Sequence, residues 1–162
     1  MRKQKGFSLI ELLIVVAIIL IIAAIAIPNL MRSKIAANEA SAVASTRTLV
    51  TAEATYNTTY QTYTKTLTDL GPAPSSGATS TGAGLIDGVL SAASASTAPK
   101  SGFWFTLSSN TAKPSMVDYQ IVTKPVSDKT GNRVFCTDES GVIRASIGAS
   151  STCTPGTSQA LQ

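Results

Sequence analysis

Glu11 is the single charged side chain between Phe7 and Ile27, and that isolation defines its chemistry. An ionised carboxylate costs up to about 3 kcal/mol at mid-membrane, less toward the interface, unless a cation meets it. Alone it is a cost, and beside an amine it is a pairing site. Few other groups could do chemistry. Histidine is absent, which removes the usual base from most nucleophilic arrangements. Without histidine, Cys136 and Cys153 would need carboxylates at an unusual spacing to hold zinc. No nucleophile–base pair stands out, so the composition points to no enzyme, no metal and no other cofactor.

The element that carries Glu11 must be a helix. At about 1.5 Å per residue, the apolar run reaches roughly 30 Å, the thickness of a bilayer's hydrocarbon core. Arg2, Lys3 and Lys5 precede it, so the positive-inside bias keeps the N-terminus cytoplasmic and sends the bulk of the chain outward. Pro28 removes a backbone donor just beyond the run and should kink the helix. Because Asn29 to Glu53 contains neither Gly nor Pro, helix is expected to resume after it. An ordinary secretory signal would begin in a similar way, with Ala24-Ile25-Ala26 as a small-x-small cleavage site. The apolar region is longer than such a signal needs, however, and Glu11 would serve nothing there. A plain uncleaved anchor leaves both Gly6-Phe7 and Glu11 unexplained.

Lys5-Gly6-Phe7-Ser8-Leu9-Ile10-Glu11, running into an unbroken apolar helix with Pro28 beyond it, resembles the class III signal of type IV pilins and type II secretion pseudopilins. The resemblance covers about the first thirty residues. It implies that a prepilin peptidase cuts between Gly6 and Phe7 and that Phe7 becomes N-methylated. It also implies that Glu11 pairs with the terminal amine of a neighbouring subunit. The expected function is a structural prepilin that polymerises into a type IV pilus, supporting adhesion or motility. The alternative is a type II secretion pseudopilin in a periplasmic pseudopilus. The partners implied are other copies of the chain in a helical homopolymer, the peptidase and the inner-membrane assembly machinery. The precursor would be a single-pass inner-membrane protein, and the product an extracellular pilus or a periplasmic pseudopilus.

In an exported head, Cys136 and Cys153 read as one disulfide, with free thiols as the alternative; family members commonly carry such a C-terminal loop. Some pseudopilins bind calcium in the head, and Asp128, Asp138 and Glu139 are the carboxylates available for it here. Turn chemistry accounts for all three without an ion. Three of the positive charges lie in the leader, so the remaining chain is nearly neutral, and no specific nucleic-acid partner is expected.

Five segments follow: a leader 1–6, a transmembrane and assembly helix 7–27, an amphipathic half of the helix 28–66, a connecting loop 67–101, and a β head 102–162. In the amphipathic half, Ile35, Val43, Val50 and Ala54, with Ala36, Ala40 and Leu49 beside them, suggest the buried face. Tyr56, Tyr60 and Tyr63 would form an aromatic stripe on one helical face. The loop should hold one short helix anchored by Leu85, Ile86, Val89 and Leu90, with a flexible stretch from Pro72 to Ala83. Runs at 103–107, 118–124, 133–137 and 142–146 suggest about four strands, with a hairpin turn at 138–141 and a frayed end from Gln159. The fold class is α+β: a long kinked N-terminal helix packed by a small antiparallel sheet, one face on the helix and the other wet.

Overall fold

The computed structural model describes residues 7–109 and 118–161. Helix α1 spans Leu9–Tyr60 and runs unbroken through Pro28. The chain divides into two compact units at Lys34 and Ile35. In the first unit, the large apolar side chains of α1 and of Phe7 just before it are exposed, from Phe7 at 82% to Met31 at 48%. The helix is long and apolar enough to cross a membrane.

In the second unit, α1 turns one narrow stripe inward. Glu39, Ala42, Ser45, Thr46, Leu49, Ala52, Glu53 and Tyr56 are buried, and within them Glu39, Ala42, Thr46, Leu49, Glu53 and Tyr56 form a stripe that alternates steps of three and four residues. Ala36, Ala40 and Ala54 are exposed, and Val43 and Val50 only half-buried. Those apolar residues therefore lie to one side of the inward face: Val43 and Val50 pack at its margin, and Leu49 alone among them sits at the centre of the core. The alternating stripe is polar at every seventh residue, and each polar member has a partner on another part of the unit.

The helix ends at Tyr60, and Gln61 takes a left-handed φ of 58° that turns the chain away. Tyr63 is thus off the helix, and the expected stripe of three tyrosines does not form. Tyr56 stacks on Tyr60 with centroids 4.5 Å apart, while Tyr63 meets Tyr119 at 4.8 Å. The tyrosine rings pack the end of α1 against the head, and the Tyr56 hydroxyl donates to the Ser80 carbonyl at 2.8 Å.

Two short helices follow, α2 at Leu67–Leu70 and α3 at Gly88–Ala92. Sequence patterning misses α2, whose Leu67 and Leu70 are both buried. In α3 the N-cap Asp87 accepts from the Leu90 N–H at 2.6 Å and from the Lys100 ammonium at 2.9 Å. The Lys100 contact, more than the cap, holds the Asp87 carboxyl below its ordinary value. Ile86 and Leu90 anchor this region, but Val89 points outward at 63% exposure. The loop before α3 is pinned at its end, where Ala83, Gly84, Leu85 and Ile86 donate back to the carbonyls of Asp69, Leu70 and Gly71.

Among the described residues the sheet has five antiparallel strands in sequential order: β1 Phe103–Ser109, β2 Tyr119–Pro125, β3 Arg133–Asp138, β4 Arg144–Ile147 and β5 Gln159–Ala160. The expected fraying end is instead β5, with Gln159 paired to Ala145 and Ala160 to Arg144. Phe103, Phe105, Ile121 and Phe135 are fully buried in the main core. The opposite face is not uniformly wet, since Val134, Cys136 and Cys153 form a second buried cluster with Val122 packed against it. Strand β3 is therefore covered on both sides. The hairpin turn at 138–141 forms as expected, closed by the Gly141 N–H on the Asp138 carbonyl at 3.0 Å.

Candidate functional site: the uncovered helix and its carboxylate

The first helical turn explains the conformation of Glu11. Ser8 precedes the helix, and its carbonyl accepts the first intrahelical bond from Leu12 at 3.2 Å. Three residues on, Glu11 Oε2 reaches back to accept from the Ser8 N–H at 2.9 Å. Ser8-Leu9-Ile10-Glu11 thus supplies the carboxylate arm of a capping box, satisfying a donor that the helix end leaves orphaned. The sequence signal for it is the spacing Ser8-x-x-Glu11. The carboxylate keeps further acceptor sites, so a single Ser8 bond does not exhaust it. Phe7 and Glu11 are both exposed, and an incoming amine can reach the carboxylate.

Gly6 lies outside the described residues. Pro28 is exposed inside α1. Around Glu11, among the described residues of the first unit, no side chain covers the helix: Leu9, Ile10, Leu12, Leu13 and Ile14 are each more than half exposed. Such a continuous apolar surface marks a membrane or protein contact. The arrangement can do two things chemically: partition into lipid, and accept a cation at one defined height along the apolar surface.

The second unit holds its part of α1 by two buried carboxylates, Glu39 and Glu53. Glu39 Oε1 accepts from the N–H groups of Asn132 at 2.8 Å and Arg133 at 3.1 Å, while Oε2 meets the Arg133 guanidinium at 2.8 Å. Glu53 is fully buried and accepts from both the Thr64 N–H, at 3.1 Å, and the Thr64 hydroxyl. Burial pushes the Glu53 carboxyl above its ordinary value; the Thr64 bonds oppose this and nearby Asp69 adds to it. Between them Thr46 and Thr123 share a buried hydroxyl contact at 2.9 Å.

Cys136 and Cys153 are disulfide-bonded, with Cα atoms 5.7 Å apart. The three head carboxylates do not gather. Asp138 Oδ1 is used by Ser140 in its turn, and Asp128 lies in the turn at the other end of β3. Among the described residues no group of three potential ligands could hold a metal ion.

Residues 1–27 match the family described as the prokaryotic N-terminal methylation motif. The chain is similar to the type IV wide pilus major component PilA4 of Thermus thermophilus, 62% identical over 39 residues, which are 24% of this chain and 30% of that protein. It is also similar to the type IV major pilin protein PilA of Myxococcus xanthus, 39% identical over 75 residues, which are 46% of this chain and 34% of that protein. The matches thus span about a third of the length of each of these relatives. No solved structure matches at a significant level.

Proposed function

We propose that this chain, whose N-terminal segment is that of a type IV pilin, is a prepilin that is processed between Gly6 and Phe7 and polymerises into a pilus. The observation that carries this reading is the methylation motif lying directly on an uncovered apolar helix with one carboxylate near its start. A lone carboxylate in lipid is tolerable when a cation meets it. Cleavage before Phe7 would create such a cation, the terminal amine, and a second subunit would bring it to Glu11. The precursor then sits in the inner membrane with its N-terminus cytoplasmic, and the product is a helical homopolymer outside it. Prepilin peptidase and the membrane assembly machinery are the transient partners. The pilus is favoured over a secretion pseudopilus because both relatives carry pilus names. Adhesion or motility would be properties of the filament.

Mass spectrometry of the mature N-terminus tests the processing. A methylated Phe7 is expected, and a start at Ile27 would overturn the reading. Glu11→Ala should abolish filaments while leaving processing intact, and filaments at the normal level would sink the pairing role. Deleting the chain should remove pili and spare secretion; the reverse outcome identifies a pseudopilin.

A further inference from the structure

Arg32 and Lys34 close the first unit, and both are exposed. Glu11 is the only acidic side chain between Phe7 and Lys34, and it lies roughly 30 Å from Arg32 along a helix. The described ion pairs involve neither cation. The next acid in the chain, Glu39, is already held by Arg133. Two strong cations therefore stand where the apolar stretch of α1 ends, with no carboxylate partner among the described residues.

Their placement selects the kind of anion. Residues two apart on a helix lie about 200° around its axis and do not face each other. One compact anion cannot bridge them. Lipid phosphates, in contrast, surround a spanning helix on every side. Exposed apolar side chains continue from Phe7 to Met31, slightly more than the roughly 20 residues that cross a hydrocarbon core. Arg32 and Lys34 thus emerge within about two turns of the hydrocarbon edge, inside the headgroup layer, and their long stems can reach up or down to it.

We propose that Arg32 and Lys34 form a basic collar that binds the phosphates of anionic phospholipids in the leaflet facing the head, fixing the depth of the subunit before assembly. This rests on the reading of residues 7–27 as membrane-spanning. In that reading Arg2, Lys3 and Lys5 leave with the leader, so the collar carries the only basic side chains flanking the span in the processed chain.

The test uses the full processed chain in detergent, with native mass spectrometry counting bound phosphatidylglycerol against phosphatidylcholine. Phosphatidylglycerol should be retained several-fold more, and the excess should fall as salt is raised. Arg32→Gln and Lys34→Gln should each remove about half of the excess, because they serve opposite sides, and the double variant should remove it. Arg32→Lys should keep it, and Lys129→Gln, an exposed change in the head, should have no effect. Equal retention of the two lipids, or an unchanged double variant, overturns the collar. Displacement of the lipid by millimolar inorganic phosphate would mean a free-anion site and overturns it too. Alkaline carbonate extraction of the wild type from vesicles is run in parallel. Release of the protein sinks the spanning reading and the collar together, whereas retention without lipid preference sinks the collar alone.

Discussion

Glu39 and Arg133, separated by 94 residues in sequence, meet where α1 crosses the start of β3. The guanidinium also lies 5.5 Å from the centroid of the Phe135 ring. Glu39 is almost fully buried while Arg133 is partly open to solvent, so removing one partner has unequal consequences. Arg133→Ala leaves the Glu39 carboxylate with two backbone donors. Glu39→Ala leaves the Asn132 and Arg133 N–H groups without their acceptor. Loss of about 3 kcal/mol is expected for Glu39→Ala and less for Arg133→Ala, read from denaturant unfolding of the detergent-solubilised chain. Equal losses would show that the guanidinium, and not the pair of N–H groups, dominates.

Glu53 gives a pH dependence of the less common sign. Its carboxyl ionises at higher pH in the folded chain than in the unfolded one. Between those two values the folded state holds more protons, so stability falls as pH rises through the window and stays lower above it. Glu53→Gln keeps an acceptor for the Thr64 N–H and removes the charge. Its melting temperature relative to wild type should therefore rise from pH 4 to pH 8, and a constant difference would refute the buried charge as the cause.

Gly131 is required by a close approach rather than by its backbone angle. A Cβ there would stand 2.3 Å from Phe103 Cζ, and Phe103 is fully buried. Gly131→Ala should cost about 1–3 kcal/mol by overpacking. Adding Phe103→Leu should cost less in that background than in wild type, and strict additivity in the double-mutant cycle would contradict the clash.

The Cys136–Cys153 bond closes a short loop and should contribute about 3 kcal/mol in the chain-entropy model. Reduction, or Cys153→Ser with Cys136→Ser, should also release β5 and open the tail to proteases near Ser151. Alkylation of both thiols without prior reduction would show that the tail is not stapled.

The elements were largely legible in the sequence and the packing phase was not. β-branched and aromatic runs locate β1 to β4, and the disulfide follows from pairing the two cysteines of a head expected to be exported. Strand β5 escapes because Gln159 and Ala160 carry no strand propensity of their own and are held beside β4 by pairing. The inward face of α1 escapes because its central members, Glu39, Thr46 and Glu53, are polar. Their partners are Arg133, Thr123 and Thr64, which no helical periodicity can reveal. A heptad of polar residues in step with Ala42, Leu49 and Tyr56 was the available signal. At the N-terminus, the Ser8–Glu11 cap was readable from spacing alone.

The three polar contacts at Glu39, Thr46 and Glu53 are spread over about four helical turns, and this spread has a mechanical meaning. Force that drags the sheet along the axis of α1 loads all three at once, in shear. A slip of one turn, about 5.4 Å, would strand two carboxylates in an apolar environment together, so sliding meets a steep barrier and the joint resists tension as one unit.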